Sequence, residues 1–384
     1  MRNLKHAACF MLAVLSVVAG LGSCRPSAQT TADASTALDT VRLHEAKGFR
    51  IVHHASFTQV DVYDPWNHLE LGRRYYLVRS DSVSTPSDGY RLRVPLTSMA
   101  IASCTHVGFA DVLGHTDAIT GCCSPELIYN RQVRDGAAQG RIMNLGDAFA
   151  IQTEALVGLR PQAIMVNGYG TKDEQTERLD QMGVIQIVNN EWIEQTPLAR
   201  AEWVKFVAAF FCEEELADSL YDIVEQDYHR LAQAIASFDS PKPTVLSGNN
   251  FRGTWYLPSG TTYMGHLFHD AGADYRYAGD TTNGSLPLSV ETIVREFSDA
   301  DVWVGAPTQT LSQLRNQDQK HTLFRAYKTG RVYNFLLRSL PDGANDYWEQ
   351  GVVRPDLILQ DLAKIFYPDS LADRSFTFAR QLEP

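Results

Sequence analysis

Positive charge is in short supply: 34 Lys and Arg stand against 45 Asp and Glu, a formal net charge of −11. Nucleic-acid binding depends on Lys and Arg neutralising phosphates, so no nucleic-acid partner is expected. Cysteine is scarce, six in 384 residues. The four in the body of the chain, Cys104, Cys122, Cys123 and Cys212, show neither a zinc-ligand spacing nor a spacing that fixes a disulfide. Also missing are the G-x-S-x-G nucleophile elbow, the phosphate-binding P-loop and a G-x-G-x-x-G leading into a helix. The enzymes and nucleotide-binding folds that carry those motifs are thereby excluded. After the N-terminus, no apolar stretch approaches the roughly 20 residues that a membrane-spanning helix needs.

What is present begins with a leader. Arg2 and Lys5 precede an almost wholly apolar run over residues 9–19, too short to span a bilayer. This is the layout of a signal peptide. The run ends in Leu21-Gly22-Ser23-Cys24, which resembles the bacterial lipobox, where cleavage precedes the cysteine and its thiol takes the lipid. Residues 1–23 are therefore the expected signal and Cys24 the expected lipidation site. Residues 24–40 are rich in Ser, Thr, Ala, Gln and Asp without hydrophobic period, and read as a flexible tether. Loss of Arg2 and Lys5 with the signal takes the net charge from −11 to −13.

The remainder is ordinary globular sequence, 44% hydrophobic and 21% charged, long enough for one large domain or two lobes. A mixed segment at 41–89 carries hairpin-like runs at 50–53 and 74–79. Strand-like stretches at 91–96, 118–121, 163–166 and 184–188 then alternate with helical ones at 105–113, 154–159 and 197–212, Gly114 stopping the first helix. Such interleaving predicts α/β layers around parallel sheets. Residues 213–238 form one long helix with Leu216, Leu220, Val224, Tyr228, Leu231, Ile235 and Phe238 at helical spacing. At about 1.5 Å per residue it reaches roughly 39 Å. Asp239-Ser240-Pro241 ends it, and the alternation resumes at 244–247, 263–271, 290–297, 302–305 and 331–335. The expected organisation is an N-terminal α/β lobe at 41–212, a bridging helix at 213–238, a C-terminal α/β lobe at 239–367 and a tail at 368–384. Two Rossmann-like lobes on one helix leave a ligand cleft between them.

The two halves match internally. Glu154-Ala155-Leu156-Val157 with Ala163-Ile164-Met165-Val166 parallels Glu291-Thr292-Ile293-Val294 with Ala300-Asp301-Val302-Trp303-Val304. Each pairs a glutamate near a helix start, where the helix dipole favours it, with an apolar strand at the same offset.

In order along more than 300 residues, several stretches carry a resemblance. They are Arg91-Leu92-Arg93-Val94-Pro95-Leu96, Leu113-Gly114-His115-Thr116-Asp117-Ala118-Ile119-Thr120-Gly121, Arg160-Pro161-Gln162-Ala163, Arg200-Ala201-Glu202-Trp203-Val204-Lys205-Phe206, Gly253-Thr254-Trp255-Tyr256-Leu257-Pro258-Ser259-Gly260, and Asn345-Asp346-Tyr347-Trp348-Glu349-Gln350-Gly351-Val352-Val353-Arg354-Pro355-Asp356. From about residue 46 to 366 the chain resembles the class III solute-binding proteins of ABC importers for ferric siderophores, haem and cobalamin. The resemblance implies two lobes with small closure, a metal-chelate ligand, and a lipid-anchored protein facing the periplasm or extracytoplasmic space. It also implies an ABC permease dimer as partner, with its ATPase on a separate chain. Glu154 and Glu291 fall where the family carries two glutamates that dock onto permease arginines.

Ligand contacts are expected from aromatic loops after strand ends: Tyr169 between two glycines, Trp255 and Tyr256 after 244–247, and Tyr347 and Trp348 after 331–335. Tyr169 and Trp255 are expected to face each other and sandwich the chelate, with Asp147 and Arg338 as the polar anchors. Cys122-Cys123 and Leu286-Pro287 depart from relatives that carry cleft aromatics there, which leaves the chelate open among ferric siderophore, cobalamin and haem. His266-x-x-His269 with Asp270 is one helical pair, short of the three or four ligands of a dedicated metal site. No resident metal, cofactor or catalytic residue is expected. A hydrolase using cleft carboxylates and a transporter-independent scavenger or sensor are the alternative classes.

Overall fold

Five parallel strands make the central sheet of the N-terminal lobe, in the spatial order Gln186–Val188, Ala163–Val166, Met99–Ile101, Ile119–Cys122, Met143–Asn144. In this computed structural model, which describes residues 37–64, 66–67, 70–168 and 174–384, the two central strands Met99–Ile101 and Ala163–Val166 are buried throughout. That is the burial of parallel strands covered on both faces. Cys24, the expected signal peptide and Tyr169 lie outside the described residues.

The C-terminal lobe repeats the plan with Val245–Ser247, Val302–Val304 and Val332–Asn334 in parallel and Arg380–Gln381 antiparallel at the edge. The expected tail therefore belongs to this lobe. Asp361, fully buried, accepts hydrogen bonds from the N–H groups of Thr377, Phe378 and Ala379 at 2.6–2.8 Å, which fastens the returning chain. A smaller antiparallel sheet, Asn250–Phe251, Thr254–Pro258 and Ser285–Ser289, flanks the lobe.

Ahead of both lobes stands a five-stranded sheet of Ala37–Thr40, Phe49–His54, Phe57–Tyr63, Leu71–Val78 and Tyr90–Arg93. Two sequence expectations are corrected here. The last residues of the supposed tether form its exposed edge strand, and the stretch at 91–96 supplies its final strand rather than opening the parallel sheet. Phe49, Ile51, Val60, Val62, Tyr75 and Leu77 turn inward into the N-lobe core. On the polar side, Asp61 is held by Arg50 at 2.9 Å and Arg74 at 2.6 Å.

The bridging helix is Glu214–Ala236. Its 23 residues, at about 1.5 Å each, span roughly 34 Å. Ala217 and Tyr221 enter the N-lobe core, and Val224, Tyr228 and Ile235 enter the C-lobe core. Leu216, expected on the apolar stripe, is exposed, because the buried face begins one position later. The lobes meet a second time. Helix Asp346–Val353, which follows the last parallel strand of the C-terminal lobe, packs against Cys104–Val112, and its Val352 and Val353 sit in the N-lobe core.

Candidate functional site

Ligands of open α/β sheets bind beyond the carboxyl ends of the strands, and each lobe has a depression there. In the N-terminal lobe it measures about 410 Å³ and is lined by Ala102, Phe149, Val166, Asn167, Gln175 and Thr176, among others. In the C-terminal lobe it measures about 640 Å³ and is lined by Thr308, Gln309, Gln313, Asn316, Gln317 and Leu336, with Pro307. Among the described residues, Glu174 is the one charged residue in either lining. A groove of about 500 Å³ runs between the lobes, from Tyr129, Asn130 and Arg134 on one side to Arg338, Asp346 and Glu349 on the other.

The expected ligand residues separate into three groups. Tyr256 and Trp348 are exposed, at 47% and 57%, and Trp348 stands edge-on to Tyr347 at 4.8 Å. Asp147 is exposed, its carboxylate accepting from the Phe149 N–H at 2.7 Å in a tight turn. Arg338 lines the inter-lobe groove, but its guanidinium is engaged by Asp346 at 2.9 Å.

Trp255 and Tyr347 are corrections. Tyr347 is buried and stacks on Phe335 at 4.7 Å. Trp255 has no exposed surface and lies among Trp303, His321 and Phe324 with ring centroids 5.3–5.8 Å away. Strand Thr254–Pro258 alternates its side chains, so Trp255 and Leu257 point to the core while Tyr256 points out. The expected sandwich of Trp255 and Tyr169 therefore loses its C-lobe face. Trp255 instead acts from inside. Its indole N–H donates to the Ser247 carbonyl at 2.7 Å, and that of Trp303 to the Gly248 carbonyl at 2.8 Å, so both fix the loop at the end of Val245–Ser247. Gly248 has φ +74°, and a Cβ there would meet the Tyr256 carbonyl at 2.4 Å, so only glycine fits the turn.

The two glutamates of the internal repeat stand in equivalent first turns, Glu154 in Thr153–Leu159 and Glu291 in Val290–Phe297. Their side chains are 85% and 74% exposed. Arg178 approaches Glu154 at 3.4 Å and Lys320 approaches Glu291 at 2.9 Å; the Lys320 ammonium holds the Glu291 carboxyl below its ordinary range.

Sequence reading missed Phe149, Asn167 and Gln175, although Phe149 follows Asp147 by two residues and Asn167 directly precedes the glycine before Tyr169. It also missed a set of buried ionisable groups behind the N-lobe strand ends. His106 is fully buried with Nε2 2.9 Å from the Asn167 side-chain oxygen, and burial lowers its pKa to about 4. Burial raises Glu191 to about 7. Glu349, on helix Asp346–Val353, accepts from the backbone N–H groups of Tyr129 and Asn130 across the lobe boundary; burial pushes it up to about 8, against those two bonds. All four described cysteines are free thiols, with Cys122 and Cys123 buried and pushed up to about 12.

Residues 100–335 match a family model described as periplasmic binding protein. An uncharacterized lipoprotein of Methanocaldococcus jannaschii is 26% identical over 335 residues, covering 82% of this chain and 78% of its own. Among solved structures, an ABC transporter substrate-binding protein from Listeria monocytogenes EGD-e superposes with a TM-score of 0.53 at 15% identity, covering 71% of this chain and 100% of that one. A periplasmic haem binding protein from Pseudomonas aeruginosa superposes with a TM-score of 0.56 at 18% identity, covering 71% and 94%. At these identities the structural likeness is one of fold.

Proposed function

Because this chain belongs to the periplasmic binding protein family, we propose that it acts as a class III member, capturing a neutral metal chelate outside the cytoplasm and handing it to an ABC permease. The family is one of solute-binding proteins rather than enzymes. The observation that carries the choice of ligand is the chemistry of the two basins. Both are lined mainly by amides, hydroxyls and apolar groups, with Glu174 the acidic member, and among the described residues neither lining contains a Lys or Arg. Pockets of this kind take a ligand through apolar contact plus a few orienting hydrogen bonds. A ferric hydroxamate siderophore, uncharged overall, fits that lining first, and a corrinoid with its amide rim next. Haem, with two propionates that call for cations, fits less well.

The candidate anchor outside the cytoplasm is Cys24. Among the described residues no helix is long and apolar enough to cross a membrane. Bilayer attachment through acyl chains at Cys24 is the reading consistent with the lipobox-like tetrapeptide, and since one chain binds only marginally, more than one is expected. The permease dimer, with its ATPase, is the proposed receiving partner.

The test is a fluorescence titration of the detergent-solubilised full chain. The ligands are a neutral ferric hydroxamate, an anionic ferric catecholate, cyanocobalamin, haemin and free ferric ion. Quenching that saturates with the hydroxamate or corrinoid is the expected result. Binding of the free ion alone, or of none of them, sinks the proposal.

A further inference from the structure

A cluster outside the cleft has the composition of a metal site. His44 precedes strand Phe49–His54, while Asp222 and Glu225 lie three residues apart on the bridging helix. Residues at that spacing share one helical face. One ligand atom from each of the three falls within 4.8 Å of the other two, and His44 Nδ1 stands 3.0 Å from both carboxylate oxygens of Glu225.

The arrangement is built rather than incidental. The backbone that carries His44 is clamped by the fully buried Glu202. Its Oε1 accepts from the His44 N–H at 2.8 Å, and its Oε2 accepts from the Glu45 and Ala46 N–H groups at 2.8 Å. The His44 ring rests edge-on against Tyr221 at 5.8 Å. Tyr221, one residue before Asp222, is 1% exposed, and its hydroxyl lies against the Glu225 carboxylate, with Glu202 and Glu45 nearby. The surroundings favour a cation as well. Glu45, Glu202 and Asp218 add negative charge, and Lys205, pairing with Glu202 at 3.3 Å and Asp218 at 3.2 Å, is the one basic side chain bound to them.

We propose that His44, Asp222 and Glu225 bind a divalent transition-metal ion, Zn²⁺ by preference, with water completing the shell. One imidazole with two carboxylates suits a borderline ion, and three protein ligands with an open fourth position is a known zinc arrangement. None of the three residues lines either cleft basin or the inter-lobe groove, so the ion would sit apart from the cargo. It would tie the N-terminal five-stranded sheet to the bridging helix.

The test uses the full chain in detergent, stripped with chelator and titrated with Zn²⁺ and, as a spectroscopic probe, Co²⁺. One equivalent of Zn²⁺ should bind and raise the melting temperature, and Co²⁺ should develop a visible absorption band. His44→Gln and Glu225→Gln, checked for folding by circular dichroism, should each lose about tenfold or more in affinity, together with the band. Phe149→Ala, in the cleft, should leave both signals unchanged. No saturable binding, or affinity within about twofold of the parent in both ligand variants, overturns the site. A loss caused by Phe149→Ala instead moves the ion to the cleft and also overturns it.

Discussion

Gly108 and Glu349 meet backbone to backbone where the two lobes touch: a Cβ placed on Gly108 would lie 2.1 Å from the Glu349 carbonyl oxygen. Glycine is otherwise a poor choice inside helix Cys104–Val112, where alanine is favoured by roughly 0.5–1 kcal/mol. Gly108→Ala therefore has a sign that decides between propensity and packing. The helices cannot approach so closely with a methyl between them. The variant is expected to be destabilised by about 1–3 kcal/mol, the usual cost of overpacking, measured by denaturant unfolding. Stabilisation would mean that the two helices are not in contact in solution.

Glu349 and Glu191 make stability depend on pH. Both carboxyls are raised in the folded protein, to about 8 and about 7, chiefly by burial, with Asp346 and Asp111 raising Glu349 further. Between the unfolded value, near 4.3, and these folded values the native state holds protons that the unfolded chain has released. Their contribution is complete below about pH 4 and is lost as pH rises through 7 and 8. The melting temperature is expected to fall between pH 5.5 and 8.5, apart from other titrations, and Glu349→Gln to flatten that fall. An unchanged slope in the variant would refute the assignment.

Trp255 and Phe149 separate core from cleft. Trp255→Ala removes a wholly buried indole and its hydrogen bond to Ser247, at an expected cost of about 3–5 kcal/mol in stability. Phe149→Ala, on an exposed turn beside the N-lobe basin, should leave stability within about 0.5 kcal/mol. It should weaken chelate binding by about 1–2 kcal/mol. Calorimetric melting and fluorescence titration of both variants give the four numbers. A stable Trp255→Ala protein with lost affinity would restore the sandwich arrangement.

Glu154 and Glu291 are proposed as the docking groups for permease arginines. Reversing both to Lys should abolish uptake of labelled chelate by cells while affinity in solution stays within about twofold. Like charges facing each other across an interface cost several kcal/mol. Because both side chains are largely exposed, folding should be unaffected. Normal uptake by the double variant would show that docking does not run through these two glutamates.

The parallel strands and the bridging helix were legible because apolar period and length are local signals. Ala163–Val166 was read to the residue, and the bridging helix to within two residues at either end. The N-terminal sheet was only half visible. Its outer face carries Arg50, Arg74 and the buried Asp61, whose ion pairs blur the alternation that marks a strand. Placing Trp255 went wrong for a different reason. Flanking glycine and a strand end suggest a loop, but whether a ring points in or out depends on pleat register, which one sequence does not fix. Glu349 and Gly108 lie 241 positions apart, and nothing local to either announces that they touch.

Two struts join the lobes: Glu214–Ala236 runs through both cores, and Asp346–Val353 lies on Cys104–Val112. Bracing at two places leaves at most one axis, the line through both contacts, about which the lobes can turn. Capture then needs little reordering of the chain, so the loss of configurational entropy on binding is small and little of the contact energy goes to closing the lobes. The same bracing makes retention passive and discharge an imposed act. On the proposed reading, the receiving permease would have to do mechanical work on both helices, prising the walls apart, before the cargo leaves. Under that proposal directionality would reside in the permease, with this chain serving as a stiff container.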